Sequence, residues 1–178
     1  MIKIIPPYPP LAKGGWGDFL IKIIFRNVIS FLFTFLLLFL FSCTQIEKAK
    51  EITTIKKVVS NYNKGVIHAS KTGDMTPLKG IASDEVLRKL YFWIAAWNDA
   101  DMYMDAELKR IEFRSINISG KTANVWTSED WIYNYRNLKT RQVVLPTSKV
   151  SYGMEYSLQK DNRWIITEIN IKKEERGR

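Results

Sequence analysis

Apolar positions along the chain follow three successive patterns. Residues Val28 to Ser42 form a run of 15 residues without a charge, dominated by Phe and Leu. From Ile46 onward the spacing changes to three and four: Ile46, Ala49, Ile52, Ile55, Val58, Val59, Tyr62 and Val66 share one face of a helix. Lys48, Lys50, Lys56, Lys57 and Lys64 occupy the other positions. This helix is predicted to run from about Ile46 to Lys71 and to stop at Gly73, where glycine can adopt the left-handed conformation that ends helices. Thr76-Pro77 then reads as an N-cap with proline at the first helical position, opening a single turn that Gly80 closes. Ser83 caps the next helix, Asp84 and Glu85 complement its dipole, and Val86, Leu87, Leu90, Trp93, Ile94 and Trp97 form its buried stripe. Its end is expected between Asn98 and Asp101.

Beyond Asp101 the period falls to two, the signature of strands. Met102 to Ile118 alternates but slips phase twice: Met104, Ala106 and Leu108 agree, then Ile111 and Phe113, then Ile116 and Ile118. Two slips predict β-bulges and a bent strand. Ser119-Gly120-Lys121 turns the chain into a second long strand, with Ala123, Val125, Thr127, Trp131, Tyr133 and Tyr135 on one face. A third strand carries Val150, Tyr152, Met154, Tyr156 and Leu158 on one side. Lys160-Asp161-Asn162 leads into a last strand, Arg163 to Ile171, and residues 172–178 read as a frayed, charged tail. The predicted fold class is α+β, helices packed on a bent four-stranded antiparallel sheet, with residues 46–171 as a single domain.

This order of elements resembles the nuclear transport factor 2-like superfamily, and the resemblance implies a cone in which a curved sheet wraps the helices around a pocket. Ser83 to Ile171 also resembles the intermembrane-space domain of plastid division proteins. The matching pieces are Trp93 through Asp99-Ala100, Ala123-Asn124-Val125 with Glu129, Tyr152 with Tyr156, and Trp164-Ile165-Ile166. That likeness does not reach the first helix.

The apolar run at Val28 to Ser42 is shorter than the roughly 20 residues that cross a bilayer as a helix, and Lys22 and Arg26 stand just before it. A positive n-region ahead of an h-region reads as a signal peptide. The run closes on Leu40-Phe41-Ser42-Cys43, which resembles a bacterial lipobox. The resemblance implies cleavage before Cys43, a diacylglycerol on its thiol and acylation of the new N-terminus, palmitate among the chains. Residues 19–42 are then the signal and 43–50 a lipidated tether. Residues 1–18, rich in Pro and Gly and neither basic nor apolar as a unit, are expected to precede the true start of synthesis, near Phe19 or Leu20. Thr44 rather than Asp after the cysteine resembles the class sorted to the outer membrane. The expected location is the cell envelope, lipid-anchored, at the periplasmic face of the outer membrane in a diderm host.

The formal charge of +9 drops to +6 over the 136 residues from Cys43 on, enough chain for one core-forming domain. Cys43 is the one cysteine, so the exported domain has no disulfide and depends on packing. Export also excludes nucleic acid as a partner. The basic residues Arg136, Lys139 and Arg141 read as a solvated hairpin end, or as a contact for anionic lipid head groups or a cell-envelope polymer. No cofactor is expected, and no metal, because the cysteine is committed to lipid, the one histidine lacks a near partner and no carboxylate spacing matches a calcium loop.

Members of the nuclear transport factor 2-like superfamily include isomerases and dehydratases with an acid–base residue in the pocket. His68, Asp99, Asp101 and Asp105 are the candidates here, against simpler roles in capping, turns and solvation. The aromatic residues are the stronger signal. Most are expected to fill space under the bent sheet, with Trp126 outside it, and Trp93, Trp97, Tyr103, Trp131, Tyr152 and Tyr156 are the candidate pocket lining. The functional expectation is a membrane-anchored envelope lipoprotein whose non-catalytic domain binds a protein partner or a small apolar ligand. The alternative is an isomerase- or dehydratase-like enzyme using the same pocket.

Overall fold

Ile55, Val59 and Tyr62 recur at the spacing of a helical face, and they are buried together with Ala69 on α1 (residues 47–72). The structure, a computed structural model, describes residues 47–177. Cys43 with Leu40, Phe41 and Ser42, the segments 1–18 and 19–42, and the tether up to Ile46 lie outside the described residues. Ala49, expected in the apolar stripe, is exposed. The helix ends as its sequence predicts: Gly73 has φ 75°, and its N–H donates to the Ala69 carbonyl at 2.8 Å.

Thr76 was expected to cap the next turn, but it is the first residue of the 3-10 turn Thr76–Leu78, and Met75 holds the cap position. The reason is Asp74, whose Oδ1 accepts from the Thr76 N–H at 2.8 Å and does the capping from two residues upstream. The turn drives Leu78 fully into the core. There it meets Gly65 of α1, where a Cβ would lie 2.5 Å from Leu78 Cδ2. The absent side chain at Gly65 is what lets the turn close onto the helix. Ser83 caps α2 (Asp84–Asp99), its Oγ accepting from the Val86 N–H at 3.4 Å.

Four strands follow, β1 (Met102–Ser119), β2 (Thr122–Asn137), β3 (Val143–Lys160) and β4 (Trp164–Arg176), paired antiparallel in chain order. The register of β1 against β2 shifts between Leu108 and Arg110 and between Phe113 and Ser115, where the alternation slips. Further shifts fall in β2–β3 and β3–β4. Each shift adds local twist and bend.

One boundary departs from the sequence reading. The third strand begins at Val143, and the last does not end at Ile171 but continues to Arg176, pairing Val150 with Arg176. Lys172 to Arg176 therefore belong to the sheet. Their charged side chains read as a tail, but ladder hydrogen bonds use the backbone alone. The far edge of β4 is partly covered: the Ser83 N–H donates to the Ile166 carbonyl at 2.8 Å, and the Ile166 N–H donates to the Ile81 carbonyl at 2.9 Å. Pairing a sheet edge with a connecting segment removes a template for aggregation.

The fold is thus α+β, two helices packed on an open four-stranded antiparallel sheet, in agreement with the cone-like arrangement expected. Ile55, Val59, Leu78, Val125, Leu158 and Ile166 make the core, each fully or almost fully buried.

Candidate functional site

Alternation decides what the concave side of the sheet displays. In β2 the odd-numbered residues from Ala123 to Glu129 are buried, and the same phase continues through Trp131, Tyr133 and Tyr135. Register sets Tyr152 of β3 opposite Glu129 and Met154 opposite Thr127, and Ile171 of β4 opposite Met154. Helix α1 closes the space from above with Tyr62, Asn63 and Val66, and α2 with Leu90 and Trp93. Between them lies a cavity of ≈ 350 Å³. Trp93, 37% exposed, and Ile171, 58% exposed, mark its rim.

Glu129 sits in this wall with 1% of its surface exposed. An isolated buried carboxylate costs many kcal/mol unless its oxygens are satisfied, and four donors converge on this one. Oε1 accepts from Asn63 Nδ2 at 3.1 Å, Thr127 Oγ1 at 2.8 Å and Tyr156 OH at 2.7 Å. Oε2 accepts from Trp131 Nε1 at 3.0 Å. Tyr156 OH also lies 3.2 Å from Asn63 Oδ1. Burial first, and then the charge of Glu129, push the Tyr156 phenol well above its ordinary range, and Tyr62 is raised by the same two causes. Both remain protonated through the physiological range. At the open end, burial and then a hydrogen bond with Tyr133 raise Tyr152.

Of the six aromatic residues expected to line a pocket, the structure gathers Trp93, Trp131, Tyr152 and Tyr156 around one cavity. Trp97 and Tyr103 do not belong to that lining. Trp97 packs against Tyr135, ring centroids 4.0 Å apart, and so touches a lining residue without lining the cavity itself. Tyr103 is buried beneath Arg141, whose guanidinium lies 4.9 Å from its ring centroid, beside a separate depression with Lys71 and Leu138. Both rings were singled out by aromatic content, Trp97 also by its place on the stripe of α2, and neither signal tells which rings share a cavity.

The acid–base candidates all stand elsewhere. His68 is exposed and pairs with Asp74 at 3.2 Å. Asp99 is exposed, and Asp101 occupies the turn into β1 with φ 55°. Asp105, read as solvated, is half-buried because Lys71 at 3.2 Å and Arg136 at 2.9 Å clamp it from either side. Arg136 is thereby part of the sheet, not a free hairpin cation, while Lys139 is exposed and lies 3.8 Å from Asp101. Trp126, 39% exposed, lies outside the core as its phase predicts. Among the described residues no cluster of His, Cys, Asp and Glu could hold a metal ion, and no helix is long and apolar enough to cross a membrane.

Glu129 and Asn63 are what sequence reasoning missed at the site. A signal for the first was available, since Glu129 interrupts the apolar face Ala123, Val125, Thr127, Trp131 in phase with it. A charged residue on a core-facing position is either paired or functional. Asn63, adjacent to Tyr62 on a helix, carries no comparable signal.

No protein-family model matches the chain, and no curated protein matches it. Among solved structures, the chain is similar to the intermembrane space region of the chloroplast protein ARC6, with a TM-score of 0.59 and 19% identity. The likeness covers 67% of this chain and 94% of that one. At this identity it speaks for the fold alone.

Proposed function

We propose that this protein is a lipid-anchored envelope lipoprotein of nuclear transport factor 2-like architecture, whose domain holds a small ligand in the aromatic cavity without acting on it. One observation carries the binding part: a 350 Å³ space rimmed by partly exposed Trp93 and Ile171 and lined by further aromatic rings. Ligand sites have this form, mostly apolar with a few placed polar groups. An enzyme using this cavity would work through Glu129, among the described residues the one Asp, Glu, Lys, Arg or His in its lining. Three of its hydrogen bonds engage Oε1 and one Oε2. Both oxygens are already engaged by neutral donors of the wall itself, so the carboxylate is committed to holding that wall together. That occupancy favours holding over chemistry.

The environmental dye N-phenyl-1-naphthylamine tests the ligand reading. It is expected to bind the full-length chain saturably, one per chain, and a Met154→Trp variant that fills the cavity is expected to weaken binding at least about tenfold. Filling a packed site costs roughly 1–3 kcal/mol, so thermal unfolding of the variant is followed alongside. Unaltered dye affinity in a folded Met154→Trp protein would sink the small-ligand reading. The protein-partner reading would then stand on a different surface: Val143, Val144 and Leu145 open β3 with 51%, 49% and 39% exposure. Those residues precede Val150, the first residue of β3 that pairs with β4.

The address is tested separately. Two acyl chains hold a protein durably at a membrane, at about 0.8 kcal/mol per buried CH₂. Cys43→Ala is therefore expected to move the protein out of the membrane fraction after cell lysis. Full retention of the variant in that fraction would mean that the apolar run is itself the anchor.

A further inference from the structure

We infer that the cavity selects an organic monocation without N–H donors, of the quaternary ammonium class. This rests on the small-ligand reading and adds to it the charge and hydrogen-bonding character of the ligand. Among the described residues Glu129 is the one Asp, Glu, Lys, Arg or His lining the cavity, and Asn63, Thr127, Trp131 and Tyr156, which satisfy it, are neutral. Its negative charge is thus dispersed by hydrogen bonds but not cancelled within the site, and an anionic ligand meets uncompensated repulsion at low dielectric.

The hydrogen bonds narrow the ligand further. A carboxylate offers about four lone-pair sites; three donors crowd Oε1 and one meets Oε2, which leaves one lone pair open on Oε2. An ammonium or guanidinium entering the cavity would bring three to five N–H groups to that one lone pair and to the hydroxyls of Tyr62, Tyr133, Tyr135 and Tyr152, neutral acceptors weaker than a carboxylate, at the cost of desolvating donors that are incompletely satisfied. A cation whose charge is spread over methyl groups asks for no acceptor. What it requires is a negative field and aromatic faces, and Trp93, Trp131, Tyr133, Tyr135 and Tyr152 supply the rings. Hydrogen bonding also helps, because Trp131 donates its indole N–H to the carboxylate, and a donor in such a chain is polarised toward greater electron density. The volume of 350 Å³ suits a head group better than a long chain.

Choline and its uncharged carbon isostere 3,3-dimethylbutan-1-ol separate charge from shape. Calorimetry on the full-length chain in maltoside micelles is expected to show choline bound at least about tenfold more tightly than the isostere, the gain expected of a desolvated cation over aromatic faces. Trp93→Leu, at the rim where folding tolerates the change, is expected to weaken choline about fivefold and the isostere less than twofold. Glu129→Gln is expected to erase the preference, with thermal unfolding as the check that it has folded. Phosphatidylcholine vesicles that displace choline identify a lipid head group as the source, whereas vesicles without effect identify a free solute; either result upholds the class. Equal affinity for choline and the isostere overturns the inference. So does absence of choline binding while N-phenyl-1-naphthylamine still binds, an outcome that leaves the small-ligand reading standing. If none of the three binds, both fall.

Discussion

Replacing Glu129 with alanine is expected to destabilise the protein by about 3–5 kcal/mol, since the loss of one acceptor strands several buried donors at once. Asn63 Nδ2, Thr127 Oγ1, Tyr156 OH and Trp131 Nε1 all point at its carboxylate from 2.7 to 3.1 Å. Each unsatisfied buried group costs about 1–3 kcal/mol, and water entering from the cavity offsets part of the total. Glu129→Gln should be milder, about 1–2 kcal/mol. The amide oxygen can keep the three bonds at Oε1, and a single donor–donor conflict is left at Trp131. Urea unfolding followed by tryptophan fluorescence reads both variants. If alanine proves as mild as glutamine, the network is not the organiser of the wall between α1 and the sheet.

Leu78→Ala is the second large effect, expected at about 3–5 kcal/mol, the upper part of the range for removing a buried leucine. Leu78 has no exposed surface, and it is the buried residue of the turn Thr76–Leu78. Its site cannot collapse easily, because Gly65 has no side chain to swing into the gap and the α1 backbone behind it is held by its own hydrogen bonds. The same side chain anchors the connection that delivers Ile81 and Ser83 to the edge of β4, where they bond Ile166. Hydrogen exchange at Ser83 and Ile166 should therefore accelerate in the variant along with the drop in global stability. A loss under about 1 kcal/mol, well below the cavity range, would show that the surrounding core relaxes into the space.

Much of the fold was legible because the signals are local. Gly73 and Ser83 announce helix boundaries through backbone conformation and side-chain reach, which involve residues within four positions. The bulges of β1 were readable as slips after Leu108 and Phe113, since a register shift moves every later side chain to the other face. Lys172 to Arg176 were misread for the complementary reason. Their strand pairing rests on backbone groups of β3, and nothing in their own side chains reports it.

The site was legible only in part. Trp131, Tyr152 and Tyr156 fall on the right faces by alternation alone, whereas Trp97 and Tyr103 needed coordinates to show that the first only touches a lining ring and the second stands apart. His68 and Asp105 drew attention as titratable groups, yet Asp74, Lys71 and Arg136 occupy them at the surface.

The chain by itself determined the order of elements, their caps, their bends and which face of each strand is apolar, all of which follow from spacings of two to four residues. Tertiary structure decided that Asn63, Glu129 and Tyr156, separated by 66 and 27 positions in sequence, meet at one carboxylate. It also decided that the aromatic faces enclose a cavity and do not close into solid core. Periodicity dictates where a side chain points, but a cavity is the space left when two curved layers fail to fill each other, and only the packing of those layers fixes it.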